Sequence, residues 1–363
     1  MEWIELDKLI KFQTKSKIKA GEGKSEGKYL MYTSSMIVDK YLDEFQYNEE
    51  ALIMGTGGSA SIHYSTGNFG TSTDCYVLYN KGKNIMLKYI YLYLLGNINI
   101  LEEGFRGAGL KHTNQKYIKS IKIPVPSLKI QEKIVKVLDQ AQALIDKRKE
   151  QIKALDQLIE SIFHTMFGDP VRNEKGWEVK ELEKVAPIKN HSIDEEIESV
   201  WLLNLDMIES NSGVLKEKIY VEIEDLPSSI NCFSNKHILY SKLRPYLNKV
   251  FMPDDNGYCT SELVPLLPDC KVLNREYLLY LLRGRAALHY FNTHTSGARM
   301  PRVVMKDLKK MKISVPPLSL QNKFANKVET IEKQKEVLGE SLELMEENYK
   351  SIMDKAFKGQ LFN

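Results

Sequence analysis

The chain has 363 residues, of which 43% are hydrophobic and 27% charged, and a formal net charge of +3. That length sets a prior of two or three domains in an ordinary soluble, core-forming protein. No run approaches the roughly 18 apolar residues of a membrane span, and Met1-Glu2-Trp3-Ile4-Glu5-Leu6 lacks the basic-then-apolar order of a secretion signal. Cys75, Cys232, Cys259 and Cys270 are far apart and form no C-x-x-C pair, which points to reduced thiols in a cytoplasmic protein rather than disulfides or a zinc site. The mild basicity permits nucleic-acid binding without announcing it.

In chain order, residues 1 to about 127 show short apolar runs bounded by Gly, Asn, Asp and Pro, which predict strands, and Lys88 to Leu95 predicts a short helix. This half is mixed α+β. Gly23-Lys24-Ser25 ends like a phosphate loop, but Ile18 stands where such a loop needs its first glycine. Pro124 and Pro126 then set a hard start for a long helix. Its apolar stripe runs Ile130, Ile134, Leu138, Ala141, Ile145, then past Arg148 to Ile152, Leu155, Ile159, Ile162 and Met166. The spacing of three and four places these residues on one face. Gly168-Asp169-Pro170 supplies the stop.

Residues from about 171 to 317 repeat the plan, with Glu276 to Leu282 as the short helix. His289 and His294 lie five apart, off the i, i+4 spacing of a helical zinc pair. Pro316 and Pro317 precede a second long helix, whose stripe is Leu320, Phe324, Val328, Ile331, Lys335, Leu338, Leu342, Met345, Tyr349, Ile352 and Ala356, and Gly359 follows it. Arg148 and Lys335 are the two breaks in these stripes.

Every member of one stripe lies 190 residues from its partner in the other, and the offset holds without a gap from Gly107/Gly297 to Phe167/Phe357. A period that long is a duplicated domain pair, not a solenoid. About 40 residues at 1.5 Å each give a rod of roughly 60 Å, too long for its stripe to be covered by one small head. The two helices are therefore predicted to pack together as a coiled-coil pair.

The heads are weakly parallel. Trp3 to Leu9 resembles Trp177 to Val185, Tyr29 to Tyr32 resembles Val200 to Leu203, Ala51 to Gly55 resembles His237 to Ser241, and Thr71 to Asp74 resembles Cys259 to Glu262. They differ most where loops are expected: Gly55 to Ser61 against Ser241 to Pro245, and Arg106 to His112 against Gly297 to Arg302. A shared framework with divergent loops suits two readers of two different sequences.

The order head, long helix, head, long helix resembles the specificity subunit of type I restriction-modification enzymes over essentially the whole chain. Ile123-Pro124-Val125-Pro126-Ser127-Leu128 through Gln131, Met166-Phe167-Gly168-Asp169-Pro170, and Ala356-Phe357-Lys358-Gly359-Gln360-Leu361 are similar to its helical regions. The resemblance implies an α+β, pseudo-two-fold protein in which two mixed α/β target-recognition domains are separated by two long helices forming an antiparallel coiled coil. The expected divisions are 1–127 and 171–317 for the recognition domains, 128–170 for the central helix and its cap, and 318–363 for the C-terminal helix. It further implies double-stranded DNA with a bipartite site, two methyltransferase subunits and restriction subunits as partners, and no cofactor, metal or catalytic role of its own.

Arg and Lys can reach guanine edges or phosphates, while Asn and Gln suit adenine. The first-half DNA-binding candidates are Thr56, Ser59, Ser61, Arg106, Lys111 and Asn114, with Lys17 and Lys19 on phosphates. The second-half candidates are Lys242, Arg244, Asn248, Arg299 and Arg302. Two other readings are a free-standing sequence-specific DNA-binding regulator and an enzyme in its own right, such as a nuclease. Against the latter, the chain carries neither the Asn-Pro-Pro-Phe/Tyr or Asp-Pro-Pro-Tyr signature of amino-methyltransferases nor clustered acidic motifs.

Overall fold

The computed structural model describes residues 2–170, 172–191 and 199–362. The chain forms two compact units, one of Met1–Glu150 with Gly339–Asn363 and one of Gln151–Leu338.

The first head runs β1 (Glu2–Glu5), α1 (Leu6–Leu9), β2 (Ile10–Phe12), β3 (Tyr29–Tyr32), β4 (Lys40–Leu42), β5 (Ala51–Gly55), β6 (Ile62–Ser65), β7 (Gly70–Thr71) and β8 (Cys75–Asn80). Helices α2 (Leu87–Gly96), α3 (Ile98–Glu102) and α4 (Gln115–Ser120), strand β9 (Lys122–Val125) and the long helix α5 (Leu128–Phe167) follow. The sheets are ordered β2-β8-β5-β6, β4-β3-β7 and β1-β9. Strand β5 is buried at every position. Leu52 and Met54 face the core that also holds Tyr89, Ile90 and Leu94 of α2, while Ala51 and Ile53 face a second cluster with Tyr32, Phe69 and Val77. A strand covered on both faces reads as a continuous apolar run, which is why Ala51 to Met54 show no alternation.

The second head runs β10 (Glu178–Glu181), α6 (Leu182–Val185), β11 (Ser199–Leu203), β12 (Ile219–Glu222), β13 (Ile230–Phe233), β14 (Ile238–Ser241), β15 (Val250–Phe251), β16 (Gly257–Thr260) and β17 (Leu263–Leu266). Then come α7 (Arg275–Arg283), α8 (Arg285–Thr293), β18 (Thr295–Ser296), β19 (Arg302–Val303), α9 (Met305–Lys310), β20 (Lys312–Val315) and the long helix α10 (Leu318–Phe357). Its sheets are β12-β11-β16-β13, β15-β14-β17, β10-β20 and β18-β19. The two predicted short helices are α2 and α7; α3, α4 and α9 are too short to show a helical period, whereas α8, at nine residues as long as α7, is a helix not predicted from the sequence.

The pairings repeat between the units. Strand β3 pairs parallel with β7 through Tyr32 and Thr71, as β11 pairs with β16 through Leu203 and Cys259. Gly55 faces Cys75 across β5 and β8, as Ser241 faces Leu263 across β14 and β17. The short resemblances in sequence therefore fall on equivalent strands.

Both long helices have 40 residues. Inside the first unit the start of α5 (Ile134, Leu138) shares a core with the end of α10 (Met353, Ala356, Phe357). Inside the second, the end of α5 (Ile159, Phe163, Phe167) shares a core with the start of α10 (Phe324, Val328, Ile331). In each unit the two helices thus pair antiparallel. Lys149 pairs with Glu346 at 2.7 Å in the first unit, and Lys335, the stripe-breaking lysine, pairs with Asp156 at 2.6 Å and Glu332 at 3.0 Å in the second. Gly168 and Gly359 cap the helices in the left-handed region, at φ +79° and +73°.

Candidate nucleic-acid interface

The divergent loops of the first head meet at one junction. Strand β5 runs past its pairing with β8 into Thr56, whose N–H donates to Asp74 O at 2.8 Å. Thr56 O accepts from Thr113 N at 3.0 Å, and Gly58 N donates to Lys111 O at 2.9 Å. Gly57 thereby bridges His112, and Arg106 bridges His112 from the other side, closing a tight loop over Gly107 to Lys111. Gly107 turns this loop at φ +143°, where only glycine is comfortable. Thr73 N also donates to Ile18 O at 2.8 Å, bringing the Lys17–Lys19 segment alongside.

The second head builds the same junction from other residues. Lys242 N donates to Glu262 O at 3.0 Å, Val303 N to Lys242 O at 2.8 Å, and Arg244 N to Pro301 O at 2.7 Å. Leu243 bridges Arg302, and Ser296 pairs with Arg302 around a loop that turns at Gly297, φ +91°. The partners correspond one by one: Thr56 with Lys242, Asp74 with Glu262, Gly58 with Arg244, His112 with Arg302 and Gly107 with Gly297. The backbone scaffold is kept while the side chains it presents are replaced.

The candidates divide by burial. Ser59, Arg106, Lys111, Asn114, Lys17, Lys19, Arg244, Arg299 and Arg302 are exposed, and Lys242 is half-buried. Thr56, Ser61 and Asn248 are inside, with 5%, 1% and 8% of their surface exposed. Thr56 serves the junction through its backbone. The Asn248 side chain donates to Arg283 O at 2.9 Å, and Asn114 accepts from Tyr117 N at 3.0 Å as the cap of α4. These side chains already have structural work. Arg302 is committed in a different way: its guanidinium Nε lies 3.0 Å and 3.2 Å from the two Glu262 carboxylate oxygens, with Nη2 at 3.0 Å from Oε1. That carboxylate holds the guanidinium charged and fixes its plane.

Sequence reasoning passed over Glu262, Asp74 and His112. Two acids in register were visible in the parallel of Thr71–Asp74 with Cys259–Glu262, but a carboxylate beside DNA carries no signal until its cation is known. It also passed over Leu110 and Met300, exposed apolar side chains at matching places in the two loops.

Elsewhere the titratable groups look structural. Burial pushes the thiols of Cys75 and Cys232 up to about 11 and that of Cys259 up to about 12, so none is a thiolate at neutral pH. Among the described residues no three His, Cys, Asp or Glu side chains cluster as a metal site, and no helix is long and apolar enough to cross a membrane.

A duplicated α+β unit, whose loop junction keeps its frame and changes its residues, defines the class of protein. The sequence matches the type I restriction modification DNA specificity domain family over residues 1–156 and again over 174–346. The chain belongs to that family, which is a specificity domain and not a catalytic one. It is 24% identical to the type I restriction enzyme EcoDI specificity subunit of Escherichia coli, over 99% of this chain and 89% of the relative. It is 23% identical to the MjaVIII specificity subunit of Methanocaldococcus jannaschii, over 88% and 80%. Among solved structures, the S subunit of the type I restriction-modification system from M. genitalium shares the fold at a TM-score of 0.59 and 15% identity, over 98% and 96% of the two chains. A chain from work on complex assembly and conformational transition of the type I R-M system aligns at 0.54 and 15%, over 99% and 98%.

Proposed function

We propose that this chain selects the DNA site of a type I restriction-modification complex in the cytoplasm. Residues 1–127 and 171–317 act as two target-recognition domains, each reading one part of a bipartite double-stranded site. Residues 128–170 and 318–363 supply the helices on which two methyltransferase subunits and the restriction subunits dock. The observation that carries this reading is the duplicated junction: Thr56, Asp74 and Thr113 are joined as Lys242, Glu262 and Val303 are, while the exposed side chains around them differ. Two heads with one scaffold and two surfaces suit a split target whose parts differ in sequence. A duplicated chain also presents two similar surfaces to two identical partners.

The exposed Lys17, Lys19, Ser59, Arg106, Lys111, Arg244, Arg299 and Arg302, with the half-buried Lys242, form the contact surface in this reading. The test is to co-express the chain with a type I methyltransferase subunit and map modified adenines across the host genome. A motif of two short blocks with a fixed gap is expected, along with a stable purified complex. A continuous motif, or methylation independent of this chain, would refute the reading.

A further inference from the structure

Gly58 and Arg244 occupy one position of the duplicated junction. Each donates its N–H across the loop pair, to Lys111 O and Pro301 O respectively, and each directly follows the bridging residue, Gly57 or Leu243. Both backbones are left-handed, with φ +84° at Gly58 and φ +49°, ψ +63° at Arg244. Glycine takes this conformation freely. A residue with a Cβ does not, and the ring of Pro245 restricts Arg244 further. The second head therefore keeps a strained arginine where the first shows that the scaffold accepts glycine.

No structural task explains the arginine. A Cβ on Gly58 would meet nothing within 4 Å, so this position looks onto open space. Arg244 is exposed, and its guanidinium makes no hydrogen bond or ion pair among the described residues. Three other arginines of the same head are engaged, Arg283 with Val250 O, Arg275 with Pro253 O, and Arg302 with Glu262, while Arg285 and Arg299 are exposed like Arg244 but carry no left-handed backbone. Strain that persists without a local reward points to function. Its physical effect is to fix the direction in which the side chain leaves the backbone. Direction matters little to a phosphate, which a flexible lysine can reach as a point charge. It matters greatly to the paired O6 and N7 acceptors of guanine, which a guanidinium must meet in plane.

We infer that Arg244 is a specificity-determining residue of the second recognition domain, donating to the O6 and N7 edge of one guanine in its half-site. Gly58 leaves bare backbone at the corresponding place in the first domain. This inference rests on the DNA-recognition reading above and adds a residue and a base to it.

The test uses the full chain co-expressed with its methyltransferase, as wild type, Arg244→Gly and Arg244→Asn. Both replacements tolerate the left-handed backbone, and neither can make the paired contact to guanine. The wild type must first yield a split motif; its failure to do so would sink the recognition reading itself. Given that motif, R244G is expected to melt at or above the wild-type temperature. Its motif should become degenerate at one position of one half-site, with methylation of newly accepted sites rising on the order of tenfold or more, while the other half-site stays intact. An unchanged motif in both variants would overturn the inference. A uniform fall at all sites with base preference intact would overturn it too, because that marks a phosphate contact. Failure of both variants to fold would show the arginine to be structural and would overturn the inference as well.

Discussion

Gln321 holds the first turn of a neighbouring helix: its Oε1 accepts from Asn274 N at 2.8 Å, just before α7. Its amide nitrogen donates to Val272 O at 3.0 Å and Pro316 O at 2.7 Å. Gln131 does the same in the first unit, accepting from Met86 N at 2.9 Å and donating to Asn84 O and Pro126 O. Both side chains are fully buried. Each fixes the start of a long helix to the short helix beside it and satisfies backbone groups that helix ends leave open. Gln321→Leu keeps most of the volume but orphans three backbone groups, of which Pro316 O is buried and Asn274 N and Val272 O are partly buried. It should lower unfolding free energy by about 1–3 kcal/mol, as should Gln131→Leu, measured by denaturant unfolding of the full chain. No shift in the unfolding midpoint would mean that water or a neighbour replaces the clasp at no cost.

Those glutamines also mark how far the sequence could be read. Gln131 and Gln321 stand in step in the 190-residue repeat, as do Pro126 with Pro316 and the two apolar stripes, while the closing glycines Gly168 and Gly359 fall one residue out of step; all could be read because helix periodicity and its stop signals are local. What Gln321 bonds to is not local: Val272 and Asn274 lie some fifty residues earlier in the chain. The same limit applied to the DNA-contact candidates. Thr56, Ser61 and Asn248 have loop composition, yet tertiary packing buries them. The left-handed turn at Arg244 was invisible because an Arg-Pro pair in sequence argues for extended backbone. Glu262 became meaningful only once Arg302 was seen to lie on it.

Two buried histidines make stability depend on pH. His237 is buried, and its Nδ1 accepts from Ser234 N at 3.0 Å while Nε2 lies 2.9 Å from Lys189 O, an arrangement satisfied by the neutral ring with its proton on Nε2. Burial lowers its pKa, as it does for His63, whose Nε2 lies 2.8 Å from Ser35 O. A lowered folded value means that the unfolded chain takes up the proton first. Their stabilising contribution is therefore complete above the usual imidazole value of about 6.5 and is lost as pH falls from there toward the folded values. The melting temperature should drop between pH 7.5 and 5.5, and His237→Gln should flatten that dependence. A melting temperature that rises on acidification would contradict the assignment.

Lys17 and Lys19 flank Ile18, whose carbonyl accepts from Thr73 beside the first junction, and neither lysine has an ion-pair partner among the described residues. Free lysines at the margin of a reading surface suit phosphates, which position without selecting sequence. Lys17→Ala and Lys19→Ala should each weaken DNA binding equally for cognate and unrelated duplexes. Each should also reduce the slope of log affinity against log salt by about one. Fluorescence anisotropy of the assembled complex across a salt series measures both. Loss confined to the cognate duplex would place these lysines on bases instead.

Arg302 reaches the second junction already oriented by Glu262, and this separates two kinds of damage. Arg302→Ala removes the guanidinium, and Arg299→Ala removes its neighbour in the same loop; each should relax recognition within the second half-site and leave the first untouched. Glu262→Gln leaves Arg302 in place but takes away the charged, bidentate partner that holds its plane. If Arg302 reads a base through that fixed plane, Glu262→Gln should blur the motif at the position that Arg302→Ala blurs. The double variant should then be no worse than Arg302→Ala alone, because the carboxylate acts through the guanidinium. If Glu262 instead accepts directly from cytosine N4, the two single variants should blur different positions and their effects should add. Methylome maps of the four proteins decide between these outcomes. Unchanged motifs in every variant would remove the loop from Gly297 to Arg302 from the reading surface.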